Sequence, residues 1–187
     1  MAFAGVKVPE DLGRLIAGLD VPGEKETPSE YHITLCCFGD DWPIKKASKA
    51  MEIILDVVKD IEPFTIKADK ISHFEPREGK PTPIIILVKS LELEKLHKKI
   101  TKAFDKYNVK YNKTFKDFKP HITLAYSEGG HDDCRMDEIQ FTVNSMVLWC
   151  GDSGDERLFI TFPFKAPEKH AILLNKIDMF EKFALKL

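Results

Sequence analysis

Tyr31-His32-Ile33-Thr34-Leu35 contains a tetrapeptide that the chain writes twice: Pro120-His121-Ile122-Thr123-Leu124 repeats His-Ile-Thr-Leu in the second half. Each copy sits in an apolar, β-branched run, which predicts a strand. Side chains two apart on a strand share a face, so His32 projects with Thr34, and His121 with Thr123. An imidazole beside a hydroxyl is a small acid–base unit. Two such units facing each other would take one proton and deliver another.

The surroundings of the two copies repeat as well. Residues 3–8 alternate and are rich in strand formers, and Pro9-Glu10-Asp11 opens a helix with acids in its first turn, as the helix dipole favours. Leu12, Leu15, Ile16 and Leu19 form its apolar stripe, and a loop at 21–30 leads into the first motif. In the second half, Pro83-Ile84-Ile85-Ile86-Leu87-Val88 reads as a buried strand. Ser90 then caps a helix reaching about residue 107, with Leu93, Leu96, Ile100 and Phe104 inward. An irregular segment at 108–119 leads into the second motif. The same order in both halves predicts two pseudo-symmetric lobes, with the motif strands on either side of a shared cleft.

Between the copies, Ile44, Ala47, Met51, Ile54, Val58 and Ile61 recur at helical spacing, and residues 64–74 alternate as a strand. The charged, Pro- and Gly-containing connection at 75–82 is the expected hinge between lobes of about 1–75 and 82–164. Residues 139–149 and 157–164 read as a hairpin around Gly151-Asp152-Ser153-Gly154-Asp155. The expected class is α+β, with antiparallel or mixed sheets flanking the cleft and helices outside. Residues 165–187 form an extension whose Leu173, Ile177, Phe180, Ala184 and Leu187 lie on one helical stripe, expected to pack on the chain's own core.

At 187 residues the chain has room for one substantial core or two small lobes sharing one. No apolar run approaches the roughly 20 residues of a membrane span. The N-terminus lacks a signal peptide's basic start and apolar core, so the cytoplasm is the expected location. Cys36, Cys37, Cys134 and Cys150 show no C-x-x-C spacing and are read as reduced thiols. A net charge of −2 argues against tracking a long nucleic acid and suits a nucleotide or the end of a short oligonucleotide. His131-Asp132-Asp133-Cys134 lacks a second ligand pair, so no metal site is expected, and no phosphate-binding glycine motif calls for a nucleotide cofactor. His97 falls on the polar face of its helix and is read as exposed. A monomer is the favoured state.

Two H-x-[ST]-hydrophobic motifs, one per lobe, make the sequence resemble the 2H phosphoesterases, which include LigT-like RNA enzymes and cyclic nucleotide phosphodiesterases. The resemblance spans residues 3–164; Phe38-Gly39 after the first motif and Pro120 before the second agree with it. It implies a metal-independent phosphodiesterase needing no cofactor, with His32, Thr34, His121 and Thr123 catalytic. It further implies His121 as base and His32 as acid in hydrolysis of a 2′,3′-cyclic phosphate. Family members also act on RNA ends, tRNA-splicing products and small cyclic or 2′,5′-linked signalling oligonucleotides. RNA end trimming or 2′,5′ ligation is the alternative within enzymes, and a non-catalytic nucleotide- or RNA-binding module the alternative outside them.

The residues suit that chemistry. An imidazole with an ordinary pKa near 6.5 lets one histidine be neutral while its partner is protonated near neutral pH. The threonine hydroxyls can hold non-bridging phosphate oxygens. By alternation Phe38 shares the parity of His32 and is a candidate for stacking on a base at the cleft edge. Tyr126 has the opposite parity and reads as a packing residue, reaching substrate only if the strand end twists. Lys116 and Lys119, in the loop before the second motif, are candidates for drawing in phosphate, with plain solvated charge as the alternative reading, and Arg77 stands likewise.

Overall fold

The computed structural model describes residues 1–40, 42, 46–76, 78–113, 117–150 and 158–165. Its first strand, β1 (Ala2–Lys7), shows the organising logic. Ala2, Ala4 and Val6 are wholly buried in the hydrophobic core on one face, and Phe3, Gly5 and Lys7 take the other. The helix α1 (Glu10–Ala17) starts behind Pro9 with Glu10 and Asp11 in its first turn. Ile16 is buried, but Leu15 is 64% exposed, so the expected stripe narrows to Leu12, Ile16 and Leu19. A two-residue strand, β2 (Glu24–Lys25), interrupts the following loop before β3 (His32–Gly39), the first motif strand.

The helix α2 (Ala47–Val58) and the strand β4 (Phe64–His73) follow, then β5 (Thr82–Lys89) and α3 (Leu91–Lys106). In α3 the Ser90 hydroxyl accepts the Leu93 amide at 3.2 Å, satisfying one of the donors a helix start leaves open. Leu93, Leu96, Ile100 and Phe104 are buried as the spacing predicts. Each such side chain contributes about 1.5–3 kcal/mol by leaving water. The second motif strand is β6 (His121–Ser127), followed by β7 (Cys134–Val143), β8 (Ser145–Cys150) and β9 (Leu158–Pro163).

Two sheets result, in the orders β3-β1-β8-β9 and β2-β6-β5-β4-β7, with antiparallel pairing throughout. The class is α+β, as expected, but the sheets are not the two halves of the chain. The first takes β1 and β3 from the first half and β8 and β9 from the second. The second takes β2 and β4 from the first half. The 75–82 connection, expected between lobes, therefore joins neighbouring strands of one sheet, and Phe74 N–H donates to Pro83 O at 3.2 Å across its mouth. Sequential antiparallel strands with a short link pair directly, and that local pairing overrides the repeat boundary. The single strand read over 139–149 is likewise two. At Asn144 the chain leaves one sheet for the other, and Asn144 O accepts the Phe164 amide at 2.8 Å.

Both sheets turn one face to a continuous core, against which α2 and α3 pack. The faces away from that core carry the two motifs. The strands β3 and β6 come into contact where the sheets meet. All four cysteines are free, and burial pushes the Cys36 thiol up to about 12 and the Cys150 thiol up to about 11. Residues 166–187, with their expected helix, and the 151–157 turn lie outside the described residues. Among the described residues no helix is long and apolar enough to cross a membrane.

Candidate active site

Each motif strand breaks its alternation at the same point. Pairing steps from Gly5↔Thr34 to Ala4↔Cys36, leaving Leu35 without a partner, and from Ile85↔Thr123 to Ile84↔Ala125, leaving Leu124 without one. These are β-bulges, which place two consecutive residues on one side. Accordingly Leu35 and Cys36 are both in the core, and so are Leu124 and Ala125.

Parity beyond each motif is therefore reversed. Phe38 turns to the core, stacked on Trp42 with ring centres 4.2 Å apart and edge-on to Phe104 at 5.5 Å. It is not brought to His32. Cys37 takes the His32 face instead, half-buried. By the same reversal Tyr126 joins His121 and Thr123 on their face, 38% exposed, opposite to the expectation from plain alternation. Burial of its hydroxyl, with the Glu26 carboxylate nearby, pushes its pKa up.

The imidazoles are held alike. His32 Nδ1 lies 2.6 Å from Glu30 O, and His121 Nδ1 lies 2.7 Å from Lys119 O. A carbonyl only accepts, so Nδ1–H is the donor in both rings and Nε2 is left for the cleft. Lys119 thus contributes its backbone; its side chain is exposed. Lys116 and Arg77 lie outside the described residues. An aromatic ring fixes each plane: Phe3 stacks on His32 at 4.0 Å and 12°, and Phe74 meets His121 edge-on at 4.7 Å and 89°. Gly5 permits the first arrangement, because a Cβ there would lie 2.4 Å from Ile33 O and 3.3 Å from Cδ2 of Phe3.

The carbonyls freed by the bulges are also taken. Leu124 O accepts the Glu26 amide at 3.0 Å, and Leu35 O accepts Nδ1–H of His97 at 2.9 Å. His97 is thus half-buried, stacked on Phe118 at 4.0 Å, and not the exposed residue its own helix suggests. The sequence carried a signal for Phe3, which alternates with Gly5 and Lys7, but none for the His97 contact, which joins two distant elements.

Burial lowers both catalytic-candidate pKa values below 6.5. The hydrogen bond from each Nδ1 opposes this, and in His32 the nearby charge of His121 adds to the lowering. Free of ligand, both rings are therefore neutral near pH 7. An anion between them would draw a proton onto one Nε2. Among the described residues no group of three or more His, Cys, Asp or Glu is placed to hold a metal ion.

A fold of two antiparallel sheets with paired His/Thr faces defines a family. The model of the 2′-5′ RNA ligase superfamily matches residues 23–155, and the chain belongs to that superfamily, the 2H phosphoesterases. It is a phosphodiesterase of this type. A Bacillus subtilis (strain 168) protein, an RNA 2′,3′-cyclic phosphodiesterase, is 29% identical over 138 residues, which are 70% of this chain and 73% of that one. In structure the chain resembles TT0787 of Thermus thermophilus at a TM-score of 0.71 and 18% identity, covering 89% of this chain and 100% of that one. E. coli LigT complexed with 3′-AMP matches at 0.64 and 15% identity, over 88% and 98%. These last two likenesses concern the fold.

Proposed function

We propose that the protein hydrolyses a 2′,3′-cyclic or 2′-linked phosphodiester at the end of a nucleotide or short oligonucleotide, without a metal. One observation carries this reading: two imidazoles, each with Nδ1–H tied to the carbonyl two residues back so that Nε2 is left for a substrate, and each followed two residues on by a threonine on the same strand face. One Nε2, unprotonated, takes a proton from water as its oxygen bonds to phosphorus. The other, protonated, gives its proton to the ribose oxygen as the P–O bond breaks. Thr34 and Thr123 donate hydroxyl hydrogens to the non-bridging oxygens as charge shifts onto them. Positioning and fixed dipoles provide most of the acceleration in phosphoryl chemistry, so four small side chains suffice. His121 serves as base and His32 as acid.

The Bacillus subtilis relative's activity on RNA 2′,3′-cyclic ends supports this substrate class. The superfamily's description as ligases favours, second, the reverse reaction, in which a hydroxyl attacks the cyclic phosphate and the same side chains exchange roles. A product-resolved screen in EDTA tests both. It offers 2′,3′-cyclic mononucleotides, 2′,5′- and 3′,5′-linked dinucleotides and cyclic oligonucleotides, with His32→Ala and His121→Ala as controls. Ring opening of the cyclic substrates is expected; activity that chelation abolishes counts against the scheme.

A further inference from the structure

The sheet face that carries His32 does not end there. Phe3, stacked on His32, also stacks on Trp149 at 5.6 Å, and Trp149 meets Phe159 edge-on at 5.6 Å. The aromatic run thus crosses from the catalytic histidine to β9, where Phe159 is 40% exposed. Lys7, the register partner of His32, reaches across β8 and sets its ammonium 5.0 Å from the centre of the Phe159 ring. Among the described residues Lys7 has no carboxylate partner. Lys7 and Phe159 line a cavity of about 340 Å³, together with Asn144, Ser145, Thr161 and Glu10. Among the described residues lining it the one acid, Glu10, is held by Arg14 at 3.1 Å. That volume is within the range of roughly 300–1,000 Å³ that small ligands occupy.

We infer that this cavity is a second nucleotide subsite, binding the residue next to the cleaved phosphodiester, with its base on Phe159 and its phosphate at Lys7. An exposed ring adjoining a cation that no acid among the described residues satisfies suits a planar base joined to an anion. Asn144, Ser145 and Thr161 supply the neutral donors and acceptors that a ribose or base edge requires. The inference rests on the phosphodiesterase reading and narrows it: the preferred substrate carries at least one phosphodiester beyond the one that reacts.

The test compares adenosine 2′,3′-cyclic phosphate with the adenylyl-(3′→5′)-adenosine dinucleotide bearing the same cyclic end. Wild-type protein, Phe159→Leu and Lys7→Gln are assayed, and calorimetry measures binding of adenosine 3′-monophosphate and the corresponding dinucleotide 3′-monophosphate. Because one stacked base is worth roughly tenfold, wild-type kcat/KM should favour the dinucleotide by about that factor, and each substitution should cost the dinucleotide several-fold more than the mononucleotide. Equal handling of both substrates by the wild type, or an equal fall on both in the variants, overturns the subsite. If neither substrate is cleaved but the dinucleotide still binds about tenfold tighter in the wild type alone, the subsite stands and the hydrolytic reading falls.

Discussion

The half-site on β3 and the half-site on β6 reach the same end by different supports. Both present His, a spacer and Thr, then a bulge at Leu; both tie Nδ1–H to the carbonyl at the second residue back. Behind that, they diverge. β3 is the edge of its sheet, whereas β6 is flanked by β5 and by the short β2. The bulge carbonyl of β3 is satisfied by a side chain, His97, and that of β6 by a backbone amide, Glu26. Chemistry demands equality only where substrate is touched. The two halves should therefore be equally sensitive at His and Thr, and unequally sensitive behind them.

The largest effect expected is from the histidines. His32→Ala and His121→Ala should each lower kcat by about 10²–10⁴-fold, the usual value of a positioned acid or base. Because the two act in one proton relay, the double variant should fall little further than either single one. Rapid-quench turnover measures it, and near-normal rates in either single variant would break the equivalence. Next come the hydroxyls: Thr34→Val and Thr123→Val should each cost about 10–100-fold in kcat, below the upper values seen for lost donors because each threonine is one of two. A tenfold difference between them would show that one half holds the phosphate almost alone.

A pH profile sharpens the comparison without altering the protein. Burial depresses both pKa values, so the form with one ring protonated and one neutral is most populated below 6.5. The kcat/KM profile should be bell-shaped with its maximum on the acid side of that value, falling about tenfold per unit on the alkaline limb. Bound anion raises the pKa of the ring it contacts, so the kcat maximum should lie at higher pH than that of kcat/KM. Coincident maxima would mean that no imidazole is charged by contact with the phosphate.

How much of this the sequence disclosed follows from what is local. The four candidate catalytic residues stand out in the sequence because they are duplicated in matching contexts, and α3 was legible because its cap and stripe lie within one segment. The bulges were not: Leu35-Cys36 and Leu124-Ala125 are apolar pairs that continue an apolar run, and nothing in their letters marks the missing partner across the sheet. That single step of parity inverts the faces that plain alternation gives Phe38 and Tyr126. Sheet membership was hidden for a similar reason. Pairing β4 with β7, and β1 with β8, is a choice between surfaces distant in sequence, and a repeat in the chain says where motifs recur without saying which strands support them.

His97 offers the smallest and most selective break, since it supports one half only. His97→Leu keeps the apolar contact with Phe118 but leaves Leu35 O unsatisfied, which costs about 1–3 kcal/mol for a buried acceptor and less where water can replace the donor. A half-buried site should therefore show about 1 kcal/mol in urea unfolding. Burial lowers the His97 pKa, so its neutral form stabilises the fold fully above 6.5, and that contribution is lost as pH falls through the depressed value. The variant should accordingly lose stability less steeply than the wild type between neutral and mildly acid pH. Activity should fall by a few-fold at most, with the Thr34 half affected and the Thr123 half spared. A double-mutant cycle reads this directly: His97→Leu should couple to Thr34→Val and be additive with Thr123→Val. Equal coupling to both threonines would mean that the bulges communicate through the whole cleft and that the two half-sites are not supported independently.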